Sequence, residues 1–212
     1  MVAYVVYGNK NDSYAFREYP PLTEYQRIHQ ELIPDMSGRS RSGVRRCEVC
    51  GELLAKWDEP LVGLVVKKRK YDIATTYDGV MVVSGGFKAA YEENGLSGLV
   101  FRQLPDDPSF FSVQATRVVA FDAERRKTRF IKPCPVCGHF ESVIGATPVF
   151  LKAGNAIGER EFVRTDLEFA SGDEKHPLLL CGDAAAKALS SAKLKGLDLV
   201  AIEESVAVNE NG

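Results

Sequence analysis

Apolar residues in this chain fall into short clusters separated by turn-forming residues, which read as strands and short helices. Val2 to Tyr7 is β-branched and aromatic, is bounded by Gly8-Asn9, and predicts a first strand. Thr23 is placed to cap a short helix through Glu24, Tyr25, Ile28 and Leu32, which Pro34 stops. Residues 35–46 have loop composition, with Ser37, Gly38, Ser40, Ser42 and Gly43 among Arg39, Arg41, Arg45 and Arg46. Trp57-Asp58-Glu59-Pro60 reads as a turn. The apolar run Leu61 to Val66 follows and predicts a strand end entering solvent at Lys67-Lys68-Arg69-Lys70.

Two later segments share one plan. In the first, Val80 to Val83 is a strand, Ser84 caps a helix from about Gly86 to Asn94, and Gly95 is a left-handed stop. Leu96 to Phe101 then leads into a strand that Pro105 closes. In the second, Leu178-Leu179-Leu180 is the strand, Ala184 to about Ala192 the helix, and Leu194 to Leu199 the exit. Ser84-Gly85 aligns with Cys181-Gly182, and Leu96-Ser97-Gly98-Leu99 with Leu194-Lys195-Gly196-Leu197, with one residue added in the second segment. Between them, 111–115 and 117–122 form one long strand or a bent pair, Glu124 to Lys127 a hairpin tip, and Thr128 to Ile131 a return strand. Phe140 to Ile144 and Phe162 to Leu167 are further strands, and the polar tail from Glu203 to Gly212 frays.

Two identical five-residue patterns interrupt this framework: Cys47-Glu48-Val49-Cys50-Gly51 and Cys134-Pro135-Val136-Cys137-Gly138. Each spacing lets a tight turn aim two sulfurs at one point, lets backbone N–H groups donate to the thiolates, and relieves crowding at glycine. Together Cys47, Cys50, Cys134 and Cys137 supply the four soft ligands of a closed tetrahedral Zn2+ site. A thioredoxin-type redox pair would open a helix after a strand, and Arg45-Arg46-Cys47 and Lys132-Pro133-Cys134 read instead as strand-to-turn passages. Disulfides suit an oxidising compartment, to which nothing in the sequence points. Iron or an iron–sulfur cluster fits the same cage. His139 reads as a neighbour of the site. The fifth cysteine, Cys181, lies at a strand–helix junction and reads as structural.

The chain has 212 residues, 45% of them hydrophobic, enough for a core of its own. A formal charge of −2 and a pI near 6 argue against a dedicated nucleic-acid binder. The start Met1 to Gly8 has neither a basic region nor an apolar run of signal length, and no stretch reaches the ~20 apolar residues of a membrane span. The expected location is the cytoplasm. No catalytic constellation emerges. Ser84-Gly85-Gly86 lacks the lysine of a phosphate loop, and His29, His139 and His176 are scattered. The pairs Glu92-Glu93, Asp106-Asp107 and Glu203-Glu204 read as surface charge. An all-sulfur zinc also leaves no position open for substrate.

The doubled Cys-x-x-Cys-Gly pattern, with a strand–helix–Leu-x-Gly-Leu module between its copies, resembles the double-CXXCG motif proteins, a bacterial group known from myxobacteria. The resemblance runs from about Met1 to Glu204. It implies an immunity protein that binds and neutralises one cognate protein toxin of a contact-delivered system. Were that toxin a basic nuclease, the acidic pairs Glu92-Glu93 and Asp106-Asp107 would be candidate contacts. The rival reading is a zinc-ribbon nucleic-acid-binding or transcription-related module, resting on Arg39, Arg41, Arg45, Arg46, Arg125, Arg126, Lys127 and Arg129. The expected fold is α+β, with two strand–helix–strand repeats, additional strands and a four-cysteine zinc-ribbon-like site built by two distant knuckles. Residues 1–46 form a strand, a helix and the arginine-rich loop. Residues 47–145 form a zinc ribbon split into 47–60 and 130–145 around the first repeat (61–129), and 146–212 hold the second repeat, the whole as one compact unit.

Overall fold

A computed structural model describes residues 2–18, 39–40, 45–58 and 61–202. The expected helix at 23–34, most of the arginine-rich loop, Glu59-Pro60 and the tail from 203 lie outside the described residues. The strands are β1 (Ala3–Lys10), β2 (Arg17–Glu18), β3 (Arg39–Ser40), β4 (Ile73–Thr75) and β5 (Met81–Ser84). They continue with β6 (Leu99–Leu104), β7 (Asp107–Ala115), β8 (Val118–Val119), β9 (Arg129–Pro133) and β10 (Phe140–Ile144). The last three are β11 (Phe162–Ser171), β12 (His176–Gly182) and β13 (Leu197–Ile202). Helices α1 (Gly85–Glu93), α2 (Ala123–Arg126) and α3 (Asp183–Ser191) complete the described elements, with a 3₁₀ turn at Gly172–Glu174.

The architecture is mixed, with one large sheet and few helices. Eleven strands join in it, in the order β6-β7-β5-β4-β1-β12-β11-β10-β9, with β13 on β1 and β8 on β11. Because successive strand residues face opposite sides, adjacent side chains enter different cores. Val6, Val83, Phe162 and Cys181 pack with Phe87, Tyr91, Ala185 and Leu189 under α1 and α3. Val5, Val163 and Leu180 face the other side, against Val119, Phe121, Val143 and Phe169. Val82 likewise points away from the helices, into a third cluster with Phe16, Leu64, Val80, Leu104 and Phe110.

Strand–helix–strand segments occur as β5-α1-β6 and β12-α3-β13, and in each another strand lies between the two. β7 lies antiparallel between β5 and β6, and β1 lies antiparallel between β12 and β13. The register differs from the sequence alignment by one residue. N-cap Ser84 corresponds to N-cap Gly182, and Leu99 to Leu197, a constant offset of 98 residues with no insertion. Cys181 therefore corresponds to Val83, and both are wholly buried. Glycine stands at the second cap, where Ser84 stands at the first, for a steric reason. A Cβ at Gly182 would lie 2.1 Å from the carbonyl oxygen of Gly158 and 2.6 Å from that of Glu159.

Three other expectations change. Residues 61–66 form turns and no strand. The N–H groups of Gly63 and Val66 go to the carboxylates of Asp106 (2.6 Å) and Asp107 (3.1 Å), so this segment finds its acceptors in side chains. The expected hairpin tip at 124–127 is the one-turn helix α2, because Asp122 Oδ1 caps it by accepting from Arg125 N at 3.0 Å. The stretch 111–122 is neither one strand nor a bent pair. β7 belongs with β5 and β6, whereas β8 pairs in parallel with β11.

Candidate metal centre

The two knuckles fold alike because their local hydrogen bonds repeat position for position. Cys47 N donates to Glu52 O at 2.8 Å and Gly51 N to Cys47 O at 2.8 Å. Cys134 N donates to His139 O at 2.7 Å and Gly138 N to Cys134 O at 3.0 Å. The flanking pairs Arg46↔Leu53 and Pro133↔Phe140 bridge in antiparallel fashion at equivalent positions. Each knuckle is thus the tip of a hairpin. Gly51 and Gly138 sit at φ of 75° and 74°, with no heavy atom within 4 Å of an added Cβ. Glycine is needed there for its backbone conformation and not for space.

The 83 residues between Cys50 and Cys134 do not keep the pairs apart. The four sulfurs all lie within 4.8 Å of one another, with Cys47 to Cys134 at 3.8 Å and Cys50 to Cys137 at 3.5 Å. A tetrahedron with metal–sulfur bonds of about 2.3 Å has edges of about 3.8 Å. The same separations are far too long for disulfides, and all five cysteines are free. Cys47 and Cys134 are buried, Cys137 is half-buried and Cys50 is exposed. His139 contributes its carbonyl to the turn, and its ring is not among the clustered ligands.

Electrostatics divides the four thiols. N–H groups of Cys50 and Val49 hold the Cys47 thiol below its ordinary value, and those of Cys137 and Val136 bring Cys134 down to about 6. At Cys50 the Glu52 N–H favours the thiolate, yet burial and the three neighbouring sulfurs prevail and push it up to about 12. At Cys137 the His139 N–H acts in the same favourable direction, and burial together with Cys134 and Cys47 again prevails and raises it. Four sulfurs at these distances cannot all ionise alone. A dication removes the conflict, because thiols that coordinate a metal are deprotonated outright.

The second knuckle is carried by the β9–β10 hairpin, and β10 joins the sheet through Ser142↔Ser171 and Val143↔Ala170. The first knuckle is carried by buried charge. Arg46 makes a two-pronged pair with Asp173 (2.8 and 2.9 Å) and also donates to Gly51 O at 2.7 Å. Lys175, only 3% exposed, donates to Glu52 Oε2 at 2.7 Å and to the carbonyl of Phe140. It therefore ties a residue just after the first knuckle to one just after the second. Lys56 donates to Asp173 O at 2.8 Å and to Lys175 O, and burial brings its ammonium down to about 8 against the opposing pull of Glu168, Asp78 and Asp173. Asp173 and Lys175 carry no sequence signal for this role, since the first-knuckle residues they hold lie more than a hundred positions away.

No protein-family model matches this chain, and no curated protein does either. Among the described residues no helix is long and apolar enough to cross a membrane.

The remaining sequence candidates are dispersed. Cys181 is fully buried in the helix-side core, and burial pushes its thiol up to about 12. His176 stands at the start of β12, not in a turn. Burial lowers its pKa, and Nδ1 lies 2.7 Å from Glu174 O. His29 lies outside the described residues. Of the arginines beside the knuckles, Arg46 is engaged with Asp173, Arg125 lies over the Phe150 ring at 4.3 Å, and Arg126 donates to Thr147 O. In the basic block, Lys68 pairs with Asp12 at 2.8 Å and Arg69 with Asp107 at 2.5 Å. The acidic candidates separate too. Glu92 and Glu93 are exposed on α1, whereas Asp107 is buried and serves the fold.

Proposed function

We propose that Cys47, Cys50, Cys134 and Cys137 form a closed structural Zn2+ site, and that the chain is a cytoplasmic immunity protein that binds a cognate toxin and covers its active surface. The observation that carries this reading is the meeting of two hairpin knuckles with the same hydrogen-bond pattern at one all-sulfur centre. Such a centre fills every tetrahedral position with protein and leaves none for substrate, so it holds the scaffold together and does no chemistry on a bound molecule. The resemblance to double-CXXCG proteins supplies the biological half of the reading. The constant 98-residue offset supports two strand–helix–strand repeats as the scaffold.

Zinc is favoured over iron because the set is four thiolates in a mononuclear, near-tetrahedral spacing, which suits a metal without redox or geometric demands. The nucleic-acid reading is disfavoured by the internal contacts of Arg46, Arg125, Arg126 and Arg69.

The experiment is capture with the zinc-loaded protein from an extract of its native host, followed by co-expression of the captured protein in a sensitive cell. The expected result is one stoichiometric partner that arrests growth alone and is harmless with this chain. A gel shift of DNA or RNA at low salt that weakens steeply as salt rises, with no toxic partner captured, would establish the rival instead.

A further inference from the structure

The metal centre and its supporting charges leave one cation unexplained. Among the described residues, Arg164 on β11 makes no side-chain hydrogen bond or ion pair, and its Nε is buried without an acceptor. It lines a cavity of about 40 Å³ with Thr75, Met81, Gln114 and His176. That space holds a few water-sized groups, the size of a carboxylate headgroup. Trp57, Val113 and Gln114 also line an adjoining cavity of about 260 Å³, whose walls include Leu61, Val100 and Arg102. Its volume is near the lower end of ligand pockets, and its lining has their character, apolar with a few convergent polar groups.

Charge decides the class of occupant. Lys56, Arg102 and Arg164 line the two lobes, against Asp58 at the outer one. Lys56 is held by backbone carbonyls, and Arg102 donates to Trp57 O at 2.7 Å. Of the acids that act on Lys56 and His176 from outside the lining, Glu168 accepts from the Trp57 indole N–H at 2.5 Å, and Asp78, Asp173, Glu52 and Glu174 are the others. Of the three cations, Arg164 alone has no acceptor among the described residues. A guanidinium nitrogen buried without an acceptor is costly, and a carboxylate matches the guanidinium fork with two parallel bonds.

We propose that this two-lobed cavity binds a small organic carboxylate, its headgroup on Arg164 in the inner lobe and its apolar body against Trp57 in the outer one. Gln114 lines both lobes and offers a side-chain amide as a further donor. The site is independent of the antidote reading and of the metal.

The chain has a single tryptophan, and it is Trp57, so binding reports on itself. The zinc-loaded protein is titrated with benzoate, hexanoate and acetate, and with the neutral analogue benzamide, following tryptophan emission. A saturable change with benzoate or hexanoate is expected, at least about tenfold tighter than with benzamide, since a charged hydrogen-bonded pair in a buried site contributes that much or more. Arg164→Met is expected to lose the carboxylate response by at least about tenfold while unfolding at the same or a higher denaturant concentration, since it removes a buried N–H that has no acceptor. A merely structural arginine would instead destabilise on removal. Absence of any saturable response to the three carboxylates, equal binding of benzamide, or unchanged benzoate affinity in Arg164→Met would each overturn the proposal. The comparison of benzoate with benzamide needs no variant, so it decides even if Arg164→Met does not fold.

Discussion

Cys134→Ser is expected to take the bound metal from one ion per chain to none after mild chelation, and to lower unfolding free energy by at least about 4 kcal/mol. Structural zinc contributes ~10–16 kcal/mol of apparent free energy in zinc-finger peptides that have no other reason to fold. Here the loss is smaller, because the three apolar clusters contain none of the four ligands. Cys134 is the informative choice. It is buried, and its own backbone N–H and C=O close the knuckle turn. The effect should be local, with hydrogen exchange rising through 45–55 and the β9–β10 hairpin and remaining slow in β5 and β12. Cys50→Ser, at the exposed corner, should cost less, since water can fill the vacated position. Cys181→Ser should leave metal content unchanged. A Cys134→Ser protein that keeps a full equivalent of zinc through chelation would show that the four sulfurs do not act together.

Lys175→Met should cost about 3–5 kcal/mol and speed zinc release, although the residue touches no sulfur. Breaking one member of a buried ion pair strands the other, and Glu52 has a side chain only 10% exposed. The lysine also donates to the carbonyl of Phe140, so its loss loosens the second knuckle together with the first. The paired variant Lys175→Met with Glu52→Leu should recover a good part of the stability, because no charge is left unmatched. It should still lose zinc faster than the parent protein, because the link between the knuckles is gone. Equal stability of the single and double variants would mean that Glu52 is hydrated and the pair is not a buried one. Release unaltered from the parent rate in both would mean that Lys175 does not position the knuckles.

What was legible in the sequence was local. A Cys-x-x-Cys-Gly run fixes its own turn, so both knuckles can be read from five residues each. The first strand–helix–strand segment was legible for the same reason. Ser84 caps α1 through its own Oγ, which accepts from Phe87 N at 3.2 Å, and Gly95 leaves the helix at φ 58°. The second reads one residue out of register because its cap makes no side-chain hydrogen bond. Gly182 is set there by the backbone of 158–159, a contact that no window of sequence around it contains. Charge was the least legible feature. Lys67 to Lys70 read as a strand entering solvent and Asp106-Asp107 as surface, yet Asp107 is buried and joins Arg69 and the Val66 N–H. The placement of β1 between β12 and β13, and the pairing of Arg46 with Asp173 and of Lys175 with Glu52, depend on residues more than a hundred positions apart. Hydrophobic patterning sets which face of a strand is buried, and it is silent on which strand or counter-ion arrives from so far away.

X-ray absorption at the zinc edge of the purified full-length protein tests the convergence most directly. A single shell of four sulfur scatterers at about 2.3 Å, with one zinc per chain, is the expected spectrum. A shell of nitrogen or oxygen, two sulfurs per metal, or a protein without metal whose cysteines are oxidised in pairs would contradict the idea that two distant hairpins close around one ion.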